Sequence, residues 1–356
     1  MSGTETAPTA GYEGNSDNSG HTFLSTNSTI FGGSGNDLIL LSNGNNDVEL
    51  GTGSSSVYGG MGSDTIIGGG GADLIYGGGG DDYIEAGEGN STVVGEGGNN
   101  TIIGGAGNDS LYAGDAGQNW ATAQTGNNYV EAGSGDTVIF GSGGDDTLIG
   151  GAGNDTIGAG AGNESIVGGS GNEQIVGGAG NDTLDAGGDG ADSIWAGSGS
   201  TTMYGGDGQD SLVGGAGTDV IYVGDGGTDS GVSYASAGTG DTTIYGGDGV
   251  DQLDGGSGND VIYAGDGGDT ILASTVYVGS GNATVYGGDG IDVINGGSGT
   301  DVLYAGDGGI DGFATAVNAG SGVTTLYGGA GVSVLTDSVG GSDQLVGGDE
   351  IGRAHV

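Results

Sequence analysis

The chain has 356 residues, of which 97 are glycine and only 33% are hydrophobic, so an ordinary globular core is not expected. Its 47 aspartates and glutamates face a single lysine or arginine, which gives a formal net charge of −46. This charge excludes nucleic acid and anionic membranes as partners, and the absence of cysteine excludes disulfides. No apolar run reaches about eighteen residues, so we expect no membrane insertion.

The N-terminal segment is polar and contains neither a basic stretch nor an apolar run. We predict that residues 1–28 form a flexible polar tail that lacks a cleaved secretory signal. Export would then need another route.

A nonapeptide pattern, G-G-x-G-x-D-x-U-x with U aliphatic, recurs beyond the tail; its positions are numbered one to nine below. Residues 59–85 show it three times in succession, as GGMGSDTII, GGGGADLIY and GGGGDDYIE. Strict copies begin at Gly32, Gly59, Gly68, Gly77, Gly104, Gly150, Gly177, Gly187, Gly205, Gly214, Gly246, Gly255, Gly287 and Gly296. Such repetition exceeds what composition alone would produce, so we interpret residues 29–349 as one continuous repeat array.

A longer super-repeat overlies the nonamers in residues 205–336. Tyr204, Tyr245, Tyr286 and Tyr327 recur with a 41-residue period, and each precedes a GGDG or GGAG segment. The period consists of three nonamers and one longer repeat, so one nonamer in four carries a five-residue insertion.

The segment 350–356 reads EIGRAHV. It matches a translation of a common sequencing-library adapter, and we interpret it as an artefact. The only arginine, Arg353, lies in this segment, so the natural sequence would contain no lysine or arginine here. We expect the natural chain to continue beyond Asp349.

The nonamer predicts a short strand, x-U-x, followed by a glycine-rich turn, because glycine adopts positive φ at little cost. Each strand and turn reverses the chain, so two nonamers would form one coil. Coils would stack through parallel strand pairing, with the aliphatic residue at position eight pointing inward, as at Ile66, Ile75 and Ile84. The predicted fold is an all-β, right-handed parallel β-roll, a β-helix-like solenoid with about two repeats per coil.

Stacked turns bring the position-six carboxylates of successive coils close together, where like charges repel. Since the chain offers no lysine, the counter-charge must come from solution. Carboxylates and glycine carbonyls are hard oxygen ligands in a flexible loop, which favours calcium over magnesium.

The tandem nonamer resembles the RTX, or hemolysin-type, calcium-binding repeat. In that family the repeats form a right-handed parallel β-roll, and multiple Ca²⁺ ions lie between turns. The resemblance implies metal ligation by Asp37, Asp64, Asp73, Asp82, Asp109, Asp146, Asp155, Asp182, Asp192, Asp210, Asp219, Asp251, Asp260, Asp292 and Asp301. It also implies export by a type I secretion system, with folding on calcium binding outside the cell.

Some copies depart from the pattern at position six, and we expect weaker or empty sites beside them. These residues are Asn100, Glu164, Glu173, Ser55, Ser91, Thr137 and Thr201. Asp64 and Asp82 fall on one edge of the roll and form the strongest predicted pair.

Tyrosine recurs at position nine, in pairs separated by two nonamers, such as Tyr204 and Tyr222. We interpret these tyrosines as an outward ladder that stabilises the sheet. The alternative is an aromatic strip for cell-surface or polysaccharide contact.

Catalysis is not expected, because His21 is the only histidine outside EIGRAHV and has no recognisable partner. The preferred interpretation is a non-catalytic, calcium-binding structural segment of a secreted or cell-surface protein. The alternative is the calcium-dependent repeat module of an extracellular enzyme or toxin whose catalytic domain lies outside this sequence.

Overall fold

The computed structural model describes residues 10–13, 21–24, 27–114, 126–225, 231–266, 273–308, 314–331, 333–337 and 340–348. The segment 350–356 lies outside these residues, as do 226–230, 267–272 and 309–313, where the predicted insertions fall. The chain divides into two compact units, Met1–Gly169 and Ser170–Val356. Every regular element of the described residues is a β-strand, and none of these residues forms a helix long and apolar enough to cross a membrane.

The first unit contains two rows of strands that alternate along the chain. The odd-numbered strands are β1 (Ala10–Glu13), β3 (Ser28–Phe31), β5 (Asp47–Glu49), β7 (Thr65–Ile67), β9 (Tyr83–Gly87), β11 (Thr101–Ala106), β13 (Tyr129–Ser134), β15 (Thr147–Ala152) and β17 (Ser165–Ser170), which contains the division. The even-numbered strands are β2 (His21–Leu24), β4 (Leu38–Leu41), β6 (Ser56–Met61), β8 (Leu74–Gly79), β10 (Thr92–Gly97), β12 (Ser110–Tyr112), β14 (Val138–Gly143) and β16 (Thr156–Ala161).

The second unit repeats this arrangement. Its even-numbered strands are β18 (Gln174–Ala179), β20 (Ser193–Ser198), β22 (Ser211–Val213), β24 (Val232–Ser236), β26 (Val250–Asp254), β28 (Ser274–Tyr277), β30 (Asp292–Asn295), β32 (Thr315–Asn318) and β34 (Ser333–Thr336). Its odd-numbered strands are β19 (Thr183–Gly187), β21 (Thr202–Tyr204), β23 (Asp219–Tyr222), β25 (Thr242–Tyr245), β27 (Asn259–Tyr263), β29 (Asn282–Tyr286), β31 (Thr300–Tyr304), β33 (Val323–Tyr327) and β35 (Gln344–Val346).

Within each unit, strands pair in parallel with the strand two places further along the chain. Ile66 of β7 pairs with Ile84 of β9, and Ile244 of β25 pairs with Ile262 of β27. Each of these pairs is separated by two nonamers, so two nonamers form one coil, as predicted. Each unit is a parallel β-solenoid, which confirms the all-β fold class and is consistent with a parallel β-roll.

Several strands are longer than the predicted three residues. Strand β6 continues through the first turn positions to Met61, and Gly60 pairs with Gly78 of the next coil. Identical turns stack in register, so their glycine N–H and C=O groups hydrogen-bond between coils as those of a strand do.

Two columns of side chains form the core of each coil. Position eight is buried as predicted, and Ile66 and Ile84 are fully inaccessible to solvent. Position one of the following nonamer forms a second buried column that was not predicted, with Leu50 and Ala86 equally inaccessible. The two positions are two residues apart, so both side chains point to the same face of the strand.

Short and long coils alternate to produce the 41-residue period of the second unit. Val232 pairs with Val250 across a short coil of two nonamers. Ser211 pairs with Tyr234 across a long coil, which also contains the five-residue insertion. The alternation therefore lets insertions occur without breaking strand pairing.

The position of one additional residue in the second unit differs from the sequence-based interpretation. The strict copies that begin at Gly177 and Gly187 are ten residues apart, so the sequence pattern leaves Ala186 as the extra residue between them. The structure instead buries Ala186 at position one and gives Gly187 the positive φ of position two. The extra residue therefore lies in the following turn.

Two strands lie within residues 1–28, the segment predicted as a tail. Strand β1 pairs with β3 at Ala10 and Ser28, and β2 pairs with β4 at His21 and Leu38. Strand pairing thus begins before the first strict repeat.

Glycine has positive φ at position two of most turns and at position four of some of them, with values of +97° at Gly60 and +124° at Gly62. Among the described residues, Glu96 is the one non-glycine with positive φ, at 65°. It occupies position two of GEGGNNTII.

We expect Glu96→Gly to stabilise the folded chain by about 1 kcal/mol. A left-handed conformation costs about 1 to 2 kcal/mol for an L-residue, which the added flexibility of glycine in the unfolded chain offsets in part. Urea unfolding in excess calcium measures the difference. Glu88→Gly removes the same charge at a position without positive φ, and a gain of similar size there would contradict the assignment to backbone strain.

Candidate metal sites at the glycine-aspartate turns

Position six faces the interior of each coil, because it lies two residues before the buried position eight. All fifteen aspartates predicted as ligands are buried, with exposed fractions between 0% and 9%. Asp64 and Asp82, the strongest predicted pair, are each 2% exposed. Buried carboxylates require hydrogen bonds or a counter-charge, so their partners determine what these turns can bind.

One oxygen of many of these carboxylates joins two coils. Asp82 Oδ1 accepts the backbone N–H of Asp64 at 2.8 Å, and Asp64 Oδ1 accepts the N–H of Asn46 at 2.7 Å. Asp109 Oδ1 accepts the N–H of Ser91 in the same way. Position six therefore forms a ladder in which many side chains cap the turn of the preceding coil, although Oδ1 of Asp251 and of Asp292 has no partner.

The second carboxylate oxygen is left without a partner in many of these turns. The buried Oδ2 atoms without a hydrogen bond belong to Asp37, Asp64, Asp73, Asp82, Asp109, Asp155, Asp192, Asp210, Asp251 and Asp260. An unpaired buried carboxylate oxygen is costly, so these turns need a positive group that the protein does not supply.

A small space adjoins several of these free oxygens at position-one glycines. A Cβ built on Gly59 would lie 2.5 Å from Asp64 Oδ2 and would overlap the carbonyl oxygen of Gly77 in the next coil. A Cβ on Gly104 would lie 2.8 Å from Asp109 Oδ2 and close to a carbonyl oxygen of the following coil. Glycine at position one thus keeps open a cradle between a carboxylate oxygen and a carbonyl oxygen.

Four predicted ligands differ, because the backbone of their own turn satisfies Oδ2. Asp146 Oδ2 accepts the N–H of Ser142, at position two of the same turn, at 2.9 Å. The same bond to Oδ2 forms in the turns of Asp219, Asp292 and Asp301, at distances between 2.8 and 3.2 Å, but Oδ1 of Asp292 is buried without a partner. The nonamer pattern does not distinguish these closed turns from the open ones.

Among the described residues, no three side chains of the His, Cys, Asp and Glu types converge to hold a metal ion. The available donors are single carboxylates and the carbonyls of stacked turns. These are hard oxygen atoms at flexible positions, so they fit Ca²⁺, which accepts six to eight oxygen ligands, better than Mg²⁺. The buried oxygen without a partner and the open cradle therefore both suit calcium.

Burial raises the pKa of several of these carboxyls, because removal from water disfavours the charged form. The pKa rises to about 6 at Asp73, Asp109 and Asp260, to about 7 at Asp82, Asp210 and Asp292, and to about 8 at Asp251. At Asp82 the nearby charge of Asp64 adds to the effect of burial on the pKa.

We expect the calcium-free fold to lose stability as pH rises from about 5 to about 8. The folded carboxyls keep their protons up to pKa values of about 6 to about 8, whereas the unfolded chain releases them near 3.8. Protonation therefore stabilises the calcium-free fold at low pH, and this contribution disappears as pH passes through the raised pKa values. Far-UV circular dichroism of dialysed protein measures the change, and a β signal that grows toward pH 8 without calcium would contradict it.

Hydroxyl and amide side chains take the place of aspartate at several departing positions without breaking the ladder, whereas Thr201 Oγ1 is buried without a partner. Ser55 Oγ accepts the N–H of Asp37 at 3.0 Å, and Asn100 Oδ1 accepts that of Asp82 at 3.0 Å. That calcium binds less strongly beside these residues stays a prediction.

A second ladder, at position five, was missed. Asn45 Oδ1 accepts the N–H of Ser63 in the next coil, and Asn99 Oδ1 accepts that of Asn127. Asn, Asp and Ser often precede the position-six residue, as at Asn108. This recurrence in the sequence could have predicted the second ladder.

Tyrosines form a continuous ladder in the second unit. Neighbouring rings are stacked at centroid distances of 4.7 to 5.0 Å along Tyr204, Tyr222, Tyr245, Tyr263, Tyr286, Tyr304 and Tyr327. The predicted pairs are confirmed, and stacking also continues across the long coils. Ring faces within the ladder cover one another, which supports sheet stabilisation and disfavours sugar stacking.

The fold and these turns define a parallel β-solenoid of glycine- and aspartate-rich nonapeptides. The profile of the RTX calcium-binding nonapeptide repeat, which spans four copies, matches residues 25–57, 58–93, 87–117, 113–136, 122–157, 131–166, 158–192, 167–203, 186–210, 195–228, 236–271 and 277–309. These matches cover more than half of the chain, so it belongs to the RTX calcium-binding repeat family. No curated protein matches the sequence.

Proposed function

We propose that this chain is a calcium-binding, non-catalytic structural segment of a secreted or cell-surface protein. The supporting observation is the set of buried carboxylate oxygens without partners in a chain with one lysine or arginine. Internal groups do not neutralise these carboxylates, so cations from solution would stabilise the folded state.

Calcium binding would then be coupled to folding. A chain with a net charge of −46 expands when its carboxylates repel one another, and binding energy opposes that expansion. Extracellular calcium modules bind at about 10⁻⁴ to 10⁻³ M, so the chain would stay unfolded at cytosolic calcium levels and fold outside the cell. Membership of the RTX family supports this proposal, since such proteins are typically secreted, and type I secretion is the proposed route.

The repetition of the site supports a structural role. The buried aspartates occupy the same position in equivalent turns, and many of them use Oδ1 for stacking, as at Asp64 and Asp82. A catalytic acid-base pair needs two groups with different environments, whereas an array of equivalent carboxylates serves to bind cations.

A calcium titration followed by far-UV circular dichroism and small-angle scattering tests the proposal. We expect an expanded chain in chelator and a cooperative gain of β signal and compactness at millimolar calcium. Magnesium at the same ionic strength separates specific binding from charge screening. A chain that is equally folded in chelator and in calcium, or that stays unfolded in both, would refute the proposed function.

A further inference from the structure

One outer face of the second unit carries two regular columns of side chains. The stacked tyrosines at position nine form the first column. Position seven of the same strands holds threonine and valine in turn, as at Thr243, Val261 and Thr284, and forms the second column. The tyrosine face is defined here as positions seven and nine of β21, β23, β25, β27, β29, β31 and β33, and none of these residues carries a charge.

Both columns of the tyrosine face are open to solvent. In β27 and β29, positions seven and nine are partly or largely exposed, whereas position eight between them is buried. Tyr263 and Tyr286 are 37% and 38% exposed. The rings lie nearly parallel, with interplanar angles between 2° and 12°. A regular, uncharged strip is thus exposed on a chain whose net charge is −46.

The two edges of the tyrosine face differ in charge. On one edge, the turns that follow the tyrosines carry exposed aspartates at position three, which are Asp207, Asp225, Asp248, Asp266, Asp289 and Asp307. On the opposite edge, position five is mostly neutral, as at Thr218, Asn259, Asn282 and Thr300, and Asp241 is an exception. The face therefore has one acidic edge and one mainly neutral edge.

This distribution of charge fits a second copy of the chain. If two tyrosine faces meet about a two-fold axis parallel to the stack of coils, position nine of one copy lies over position seven of the other. The acidic edge of each copy then lies over the mainly neutral edge of its partner, and the two acidic edges stay apart. About a two-fold axis parallel to the strands, the acidic edges would instead face each other and repel.

The ring geometry favours a protein partner over a sugar polymer. Neighbouring rings such as Tyr245 and Tyr263 cover each other's faces, with centroids 4.9 Å apart. A sugar would therefore meet ring edges, whereas edges and hydroxyl groups can pack against the threonine and valine side chains of another sheet.

We propose that the tyrosine face is the interface of a two-fold homodimer in which the coils of both copies stack in the same direction. From β21 to β33 the strip is about 29 Å long, and from position seven to position two of the following turn it is about 13 Å wide. Its flat projection of about 400 Å² per copy is below the roughly 800 Å² of a standard interface, so the dimer is weak. Pairing goes beyond the proposed function, because it uses the outer face of the fold.

Sedimentation velocity of the full chain in millimolar calcium measures the association. We expect a monomer at about 1 μM and a dimer as the concentration approaches about 1 mM. Thr284→Glu places a charge beneath the partner's tyrosine column and should weaken the dimer about tenfold or more. The matched control, Thr275→Glu, adds the same charge at position seven of β28, in the other row of strands, and should leave the association unchanged.

Mixtures of variants test the direction of pairing. About an axis parallel to the stack of coils, Thr284 of one copy lies at the same height as Thr284 of its partner. A mixture of Thr284→Glu chains with Thr284→Lys chains should therefore recover the dimer that Thr284→Glu loses alone. Thr243 lies two coils away, so Thr243→Lys chains should not rescue Thr284→Glu. Rescue by Thr243→Lys alone would overturn the parallel arrangement.

Circular dichroism of each variant in calcium separates lost pairing from lost folding, and Thr325→Glu on β33 replaces Thr284→Glu if that variant does not fold. A wild-type chain that is folded in calcium but monomeric up to about 1 mM would overturn the inference, and the proposed function would stand. Equal weakening by Thr284→Glu and Thr275→Glu would also overturn it. A wild-type chain that stays unfolded in calcium would refute both.

Discussion

Replacing Gly78 by alanine is expected to destabilise the folded chain by about 3 to 5 kcal/mol in excess calcium. Gly78 has a φ of +110°, which L-residues rarely adopt, and a Cβ there would overlap the carbonyl oxygen of Gly60 in the preceding coil. The carbonyl oxygen is a backbone atom and the Cβ is bonded directly to the backbone, so no side-chain rotation can relieve the overlap. Urea unfolding with calcium held in excess measures the loss.

The adjacent residue provides a matched control. A Cβ on Gly79 would meet no atom within 4 Å, and the paired residue of the preceding coil is Met61. Gly79→Ala should therefore change the free energy of unfolding by less than about 0.5 kcal/mol. Equal losses at Gly78 and Gly79 would contradict the register in which the turns stack.

Asp82→Asn is expected to have opposite effects with and without calcium. Without calcium the variant should be more stable, because asparagine keeps an Oδ1 acceptor for the N–H of Asp64 and removes a buried carboxylate. Asn100 shows how the amide closes the turn, since its Nδ2 donates to the carbonyl of Ala113 at 3.2 Å. With calcium the variant should be less stable than the wild type, because one charged ligand is lost.

Asp81→Asn is the control for this reversal. Asp81 lies at the solvent-facing side of its turn, and its Oδ1 accepts the N–H of Asn99 at 2.8 Å, a bond that asparagine can also make. Loss of the same formal charge at Asp81 should shift stability slightly and in one direction under both conditions. Denaturation of both variants in chelator and in calcium distinguishes the two positions, and a change of one sign at Asp82 would exclude its role as a ligand.

The solenoid could be predicted because the aliphatic core residues and the turn glycines recur with the same nine-residue period. Ile66, Ile75 and Ile84 recur once in every nonamer, and the structure buries all three within strands. A strict period fixes register as well, since a one-residue shift would expose the whole column. The recurring glycines predict the turns, because glycine adopts positive φ at little cost.

The content of the turns was harder to predict. The pattern identifies aspartate at position six but not which of its oxygens is satisfied by the stacked turns. Nor does it show that Asp146 and Asp219 bond to their own turns while Oδ2 of Asp64 and Asp109 is left without a partner. That difference depends on small changes in turn backbone, which residue types do not determine.

Position one shows what the sequence alone could have revealed. The exclusion of alanine from most aspartate turns is visible in the repeats, as in GGGGADLIY from Gly68 and AGEGNSTVV from Ala86. Its meaning requires the distance between a position-one Cβ and Oδ2, which is 2.8 Å at Gly68. The tyrosine ladder is similar, because its continuity across the long coils depends on insertions that leave the strands in register.

The most direct measurement is an anomalous difference map for calcium, from crystals grown in millimolar calcium. We expect peaks beside the carboxylates of Asp64, Asp73, Asp82 and Asp109, next to the position-one carbonyls of the following coils. No peak is expected where Ser55 and Ser91 occupy position six. A map that shows the turns folded but no calcium peak beside any of these four aspartates would contradict the account. The buried carboxylate oxygens would then be stable in the fold without calcium.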